Sequence, residues 1–166
     1  MRVVGRAHRD YYPPMERNPF DVGGTWSGEG EIVGRHALHW FMSREPFTIT
    51  TRIEPLSESI RIVRDDLRFA RGGEMKRTMY VERIAADRYH VTADDMPLGA
   101  DVTMSGGTYT YAPYWSWSSF RGRRRFVRVR EEGTIDPDGT MRGRIDLSWY
   151  RIPVAVNRFV MRRRAQ

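Results

Sequence analysis

The sequence predicts an all-β fold, a single antiparallel barrel of about eight to ten strands with an extended N-terminal arm. Short segments in which apolar and polar residues alternate follow one another from residue 25 onward, and glycine-rich turns separate them. Trp26 stands at the start of the first segment, and the glycines around it let the backbone bend sharply. A tryptophan in that position can close the bottom of a small barrel, so a barrel is favoured over a sandwich.

The alternation predicts strands along almost the whole chain after the arm. They lie near 25–34, 38–43, 47–54, 58–69, 74–85, 88–94, 100–105, 107–112, 123–132, 140–150 and 156–163. The sequences at 71–74, 105–108 and 136–139 have the glycine and proline content of hairpin connections. Residues 54–70 also place apolar side chains at helical spacing, but the alternation from Ile60 to Arg64 favours a strand.

The chain divides into an arm and one domain. Residues 1–21 contain Tyr11-Tyr12-Pro13-Pro14 and Asn18-Pro19 without periodicity, which is typical of an extended segment. Residues 22–166 form the predicted barrel domain, and a chain of 166 residues suits one domain with a real core.

The basic residues are nearly all arginines, since Lys76 is the single lysine among 28 basic residues. Arginine binds phosphates and carboxylates well through its planar fork, so an anionic partner is one interpretation. An arginine-rich codon bias is the simpler one.

Several classes of protein and site are disfavoured. The chain has no cysteine, which excludes disulfides and thiolate metal sites. It has no apolar run long enough to span a membrane and no signal-peptide core after its basic first ten residues. We therefore expect a cytoplasmic protein with no membrane span, and its oligomeric state is left open.

The segment Gly24-Thr25-Trp26 matches the Gly-x-Trp signature of the lipocalin-like (calycin) barrels, and the chain resembles that family. The resemblance implies that an arginine from a late strand stacks on Trp26, with Arg142, Arg144 and Arg151 as the candidates.

Three motifs, 24–30, 79–95 and 106–111, are similar to those of an uncharacterised bacterial lipocalin-like family of unknown function, over roughly residues 20 to 163. Its members usually begin with a lipoprotein leader, which this chain does not show. The opening is also similar to that of haem-binding nitrobindin-type barrels, but their iron-binding histidine lies near the C-terminus and the last histidine here is His90.

We expect the barrel to bind a small apolar or amphipathic molecule, with an acidic group on that molecule as one option. Rigid aromatic side chains with one polar atom each, methionines and one or two arginines suit the wall of such a cavity. The predicted ligand-binding residues are Trp40, Met79, Met104, Tyr109, Tyr111, Trp115, Trp117, Arg128, Arg144 and Trp149. Met42 and Met75 would add to the apolar wall.

The alternative is an isomerase or cyclase that acts without a cofactor on a hydrophobic molecule in the same cavity. Tyr80, His90 and Asp101 are then the predicted catalytic residues, because they could form an acid–base set near neutral pH. Whether the protein is an enzyme is left open. A barrel filled by its own side chains and used only for interactions is a third interpretation.

No cofactor or metal is expected, because the four histidines have no ligand spacing and no phosphate-binding or nucleophile motif occurs. Residues 120–130 interleave arginines with aromatic residues, as nucleic-acid surfaces do. The same pattern describes a barrel strand with solvated arginines, so nucleic-acid binding is disfavoured.

Overall fold

The structure is a computed structural model, and it describes residues 23–34, 43–120 and 123–165. Every regular element in these residues is a β-strand. The strands are β1 (Gly24–Gly34), β2 (Ser43–Pro55), β3 (Ile60–Phe69), β4 (Glu74–Ala85), β5 (Arg88–Ala93), β6 (Met96–Ser105), β7 (Thr108–Tyr111), β8 (Tyr114–Phe120), β9 (Arg123–Ile135), β10 (Met141–Trp149) and β11 (Ile152–Arg163). The predicted all-β class is confirmed, and the segment that also fitted a helix is strand β3.

The strands form a closed antiparallel barrel. Each strand from β1 to β7 pairs with the next one along the chain, β7 pairs with β9, β9 with β10, β10 with β11, and β11 with β1. Ten strands thus make a continuous ring, and β8 is an extra strand beside β9. Closure leaves the ring without free edges, which suits antiparallel strands joined by short hairpins.

The hairpin turns predicted at 71–74, 105–108 and 136–139 are present between consecutive strands. Strand β8 was not predicted, and β2, β6 and β11 each begin four residues earlier than the pattern indicated. The arm over residues 1–21 and most of the predicted strand 38–43 lie outside the described residues. The division at residue 21 therefore stays a prediction.

The inner face of the barrel carries a continuous apolar core. Alternate residues of each strand point inward, as a pleated strand requires. The most deeply buried of these side chains include Val81, Tyr89, Val91, Val102 and Val127. Burial of such side chains stabilises each by roughly 1.5–3 kcal/mol, which is the main favourable term for a fold of this size.

Trp26 closes one end of the barrel. Its side chain is buried, and the guanidinium of Arg163 lies 5.5 Å from the ring centre. Arg163 is also the cross-strand partner of Trp26 and donates a hydrogen bond to the Gly23 carbonyl at 3.0 Å. The implied arginine is therefore Arg163; the three candidates from the sequence were wrong because none of them faces β1 at this position.

Glycines on the inner face let aromatic rings pack against bare backbone. A Cβ atom on Gly30 would lie 2.3 Å from Cζ of Phe47, and one on Gly143 would lie 2.1 Å from Cζ of Phe159. The ring of Tyr109 packs against Gly133 in the same way, since a Cβ atom there would lie 2.4 Å from Cζ of Tyr109. These rings pack into the interior of the barrel.

Strands β7 and β8 both run antiparallel to β9, but the face that alternate side chains present changes between them. Thr110 pairs with Glu132 but Tyr114 pairs with Val129, so one extra residue lies between the two strands at Ala112-Pro113. A bulge of this kind exchanges the two faces of the strand that follows it. Tyr109 and Tyr111 point inward before the bulge, and Tyr114 and Ser116 point inward after it.

Candidate ligand site in the barrel

We call the end of the barrel opposite Trp26 the mouth. The β10–β11 turn, the end of β1 and the β5–β6 turn lie there. Inner-face residues near the mouth, including Ile32, Phe69, Ile145 and Leu147, pack on the core but are only partly buried. This region is therefore apolar and reachable from solvent.

A salt bridge lies just inside the mouth. Arg77, on the inner face of β4, donates from Nε to Asp95 Oδ1 at 3.0 Å, and the two side chains are 19% and 28% exposed. Ser116 Oγ donates to the other oxygen of Asp95 at 2.7 Å. The carboxylate of Asp95, in the β5–β6 turn, is thus satisfied on both oxygens, and the charge of Arg77 is balanced.

A second carboxyl, Asp65, faces Arg77 across the β3–β4 ladder. Thr51 Oγ1 donates to Asp65 Oδ1 at 2.6 Å. Burial raises the pKa of Asp65, while the Thr51 hydrogen bond and Arg77 act against that rise.

A third carboxyl, Glu131, comes from β9 on another part of the wall. Burial raises the pKa of Glu131 to about 7, with Arg77 opposing the rise and Asp65 adding to it. The Tyr114 hydroxyl donates to Glu131 Oε2 at 3.3 Å. Glu131 therefore changes its charge near neutral pH, in contact with a phenol, which is the setting in which a carboxyl can give or take a proton.

Three tyrosines complete this polar group. Burial, and then the nearby Glu131, raise the pKa values of Tyr109, Tyr111 and Tyr114 well above the usual range. The tyrosines therefore remain neutral hydrogen-bonding groups at any physiological pH.

Within the described residues, two buried polar atoms on the inner face have no hydrogen-bond partner: Nη2 of Arg77, whose guanidinium also acts on the neighbouring Tyr114 hydroxyl, and Oδ1 of Asn157. Asn157 lies on β11 between Ile32 and Ile145, its cross-strand partners. Leaving a buried donor or acceptor unsatisfied costs about 1–3 kcal/mol, so such atoms are uncommon in native interiors. The barrel thus offers one unused acceptor between apolar neighbours, at Asn157, and one unused donor within the polar group, at Arg77.

The predicted catalytic residues lie on the outside of the barrel. His90 Nδ1 is 2.8 Å from Asp101 Oδ1, and these side chains are 36% and 52% exposed. Tyr80 is also exposed, on the neighbouring strand β4. The structure therefore brings His90 and Asp101 together, but away from the inner face where the buried acids lie.

The predicted ligand-binding residues divide between the two faces. Met79, Met104, Tyr109 and Tyr111 belong to the core or pack against it. The other described residues of this set do not belong to the core. Trp115, Trp117 and Arg128 lie on the outer face, where Arg144 is paired with Asp146. Trp149 lies at the mouth. Met75 is exposed, and Trp40 and Met42 lie outside the described residues.

Sequence reasoning did not single out Asp65, Arg77, Glu131 and Asn157. Each stands at an inward position of an alternating strand, between apolar residues such as Val63 and Leu67 or Val129 and Ile135. A polar residue within the apolar half of an alternating strand was the signal that could have found them.

Among residues 23–34, 43–120 and 123–165, no group of three or more potential ligands could hold a metal ion. The same residues contain no helix long and apolar enough to cross a lipid bilayer.

The chain is similar to solved barrels at low sequence identity. Rv2717c from M. tuberculosis is 12% identical, with a TM-score of 0.59 over 86% of this chain and 92% of that one. The S-type phycobiliprotein lyase CPES from Guillardia theta is 10% identical, with a TM-score of 0.61 over 89% of this chain and 91% of that one. A DUF3598 protein of unknown function from Nostoc punctiforme is 16% identical, with a TM-score of 0.56 over 89% of this chain and 49% of that one.

At these identities the likeness shows the barrel fold alone. No protein-family model matches the chain, and no curated protein matches it.

Proposed function

We propose that this protein is a lipocalin-like binding barrel that takes up a small, largely apolar molecule through its mouth. The observation that carries the proposal is the pair of buried, unsatisfied atoms on the inner face, Arg77 Nη2 and Asn157 Oδ1. A molecule with one hydrogen-bond acceptor and one donor on an apolar body would satisfy both atoms. Such a combination of apolar wall and few oriented polar groups is typical of small-molecule sites.

The charges favour a neutral molecule over an acidic one. Arg77 is already paired with Asp95, and Asp65 and Glu131 lie near it. An anionic group brought here would meet two further acids, and their repulsion would oppose its burial. An N–H or O–H donor aimed at Asn157 meets no such penalty.

N-phenyl-1-naphthylamine is a suitable probe, because it is apolar, fluorescent when buried, and has a single N–H donor. Its ether analogue, 1-phenoxynaphthalene, has nearly the same shape and no donor. We expect the amine to bind roughly 3- to 10-fold more tightly than the ether, as one hydrogen bond would give.

The Asn157→Leu variant tests where the probe binds. It replaces the unsatisfied amide with an apolar side chain of similar size, so the fold should gain about 1 kcal/mol while the preference for the amine disappears. Thr48→Val on the exposed outer face of β2 is the matched control and should change neither quantity. Equal binding of both probes to the wild type, or a preference that survives Asn157→Leu, would contradict the proposal.

The second candidate is an enzyme that needs no cofactor, with Glu131 and Tyr114 in place of Tyr80, His90 and Asp101. The observation in its favour is the pKa of Glu131, raised to about 7 by burial, beside the Tyr114 hydroxyl. Incubation of the molecule recovered from the barrel with fresh protein, followed by liquid chromatography and NMR, distinguishes the two functions. A molecule that is recovered unchanged supports binding. Conversion of that molecule into an isomer by the wild type, but not by Glu131→Gln, supports catalysis.

The cytoplasmic location stays a prediction.

A further inference from the structure

A surface of aromatic side chains and arginines surrounds one side of the mouth. Trp115 and Trp117 of β8 and Trp149, Tyr150 and Ile152 at the β10–β11 turn form its apolar part, which we call the aromatic rim. The last four of these are each at least 41% exposed. Large apolar side chains grouped at one edge of a protein usually mark an interaction site.

The rim is built into the fold. Trp115 stacks on Phe126 of β9 with ring centres 5.1 Å apart and an angle of 18°, and Trp117 packs on the same ring at 4.9 Å. Trp149 and Tyr150 pack together with ring centres 5.4 Å apart. The aromatic side chains are therefore held in fixed positions at the mouth, although they contribute little to the core.

The charge of the rim is positive. Arg124 lies over Trp117 at 5.3 Å and Arg125 over Trp149 at 5.4 Å. Arg128 and Arg151, together with Trp115 and Tyr150, line an open hollow of about 590 Å³, whose described lining residues include no carboxylate. Within the described residues, none of these four guanidinium groups forms an ion pair with a carboxylate. The complementary partner is therefore anionic.

Tyr150 provides independent support, because its backbone is in the left-handed region, with φ of 54°. Glycine and asparagine are the usual residues there, and a tyrosine is disfavoured. Tyr150 is also 71% exposed, so the core gains little from its ring. Strain kept at an exposed aromatic residue suggests that the ring is held outward for contact with something else.

The geometry points to the surface of an anionic lipid bilayer as the partner. Tryptophan and tyrosine beside arginine are the residues that occupy the boundary between lipid headgroups and acyl chains, where rings lie in the apolar zone and guanidinium groups meet phosphates. The faces of Trp117 and Trp149 are already covered by arginines, which makes the rim less suited to stacking on the bases of a single nucleic-acid strand. Docking in this way would turn the mouth towards the membrane. The inference does not depend on the lumen ligand.

Cosedimentation of the full chain with vesicles tests the inference, with no lumen ligand added. The vesicles contain phosphatidylcholine alone or phosphatidylcholine with phosphatidylglycerol. We expect binding to the mixed vesicles, weakened by added salt, and a roughly 10- to 30-fold loss in Arg125→Gln/Arg128→Gln. Arg88→Gln/Arg162→Gln removes two exposed charges far from the rim, and we expect it to lower binding less than about threefold.

Tyr150→Gly separates the interaction from folding. Glycine relieves the left-handed backbone, so the melting temperature should stay equal or rise while vesicle binding falls several-fold. Three outcomes would overturn the inference: no binding to mixed vesicles, equal losses in the two arginine pairs, or rim-dependent binding of a labelled single-stranded oligonucleotide without vesicle binding. The last outcome would make the rim a nucleic-acid surface.

Discussion

The buried carboxyl of Glu131 makes the stability of the barrel depend on pH. Its pKa is about 7 in the folded chain against an ordinary value of 4.5, because burial disfavours the charged form. Between these two values the folded state binds more protons than the unfolded state. The free energy of unfolding therefore falls as pH rises from about 4.5 to 7, by up to about 3 kcal/mol, and then levels off.

Glu131→Gln should remove this share of the pH dependence. The amide keeps an acceptor for the Tyr114 hydroxyl but cannot ionise. We expect urea unfolding at pH 5 and pH 8 to differ less in the variant than in the wild type, chiefly through greater stability at pH 8. Asp65, whose pKa is also raised by burial, leaves a smaller slope of the same sign.

Glu132→Gln is the control, since Glu132 is the exposed neighbour on the same strand. It should leave the pH dependence as it is. A Glu131→Gln variant with the full wild-type slope would show that Glu131 does not titrate near neutral pH.

At the scale of single elements, β1 depends on glycine for its shape. A Cβ atom on Gly28 would lie 1.8 Å from the carbonyl oxygen of Val160 on β11, a distance that no packing change can accommodate. The backbones of β1 and β11 come close together here, two residues after Trp26.

Gly28→Ala should therefore destabilise the protein severely, by about 3 kcal/mol or more, because the added methyl group displaces backbone rather than side chain. Urea unfolding followed by circular dichroism measures the loss. Ser27→Ala, one residue away on β1, should cost well under 1 kcal/mol, as substitutions away from buried features usually do. Similar values for the two variants would mean that β1 and β11 can separate at Gly28 without cost.

The β7–β8 bulge changes which side chains point into the barrel, and the local alternation of residues does not predict that change. Alternation correctly indicates that Tyr109 and Tyr111 share one face, and the same rule groups Trp115 with Trp117. One extra residue at Ala112-Pro113 exchanges the faces, so the tyrosines point inward and the tryptophans outward. The pairing with β9 determines this, and residues 108–118 alone do not contain it.

At the scale of the whole molecule, the ring of ten strands closes through pairing of β1 with β11. The two strands that flank each strand of the ring therefore both come from residues 24–163. Closed rings of this kind have no exposed edge that needs protection by a further segment.

A chain of residues 22–166 should consequently fold like the full chain. We expect its free energy of unfolding to differ by less than about 1 kcal/mol and its urea dependence to be unchanged, because the strand pairing of the ring is complete within residues 24–163. Equilibrium urea unfolding of both chains makes the comparison. A shorter chain that aggregates, or unfolds at clearly lower urea, would show that the arm contributes to the stability of the barrel.

The sequence by itself determined the class of fold, the direction of most strands, the main hairpin turns and the role of Trp26. These depend on residue type and on alternation within one strand, which can be read locally. The tertiary structure decided which arginine covers Trp26, which faces β8 presents, and that the buried ionisable groups from β3, β4 and β9 meet inside one lumen. Those outcomes depend on the register of strands far apart in the chain and on the low polarity of the space they enclose, and neither is a property of any single segment.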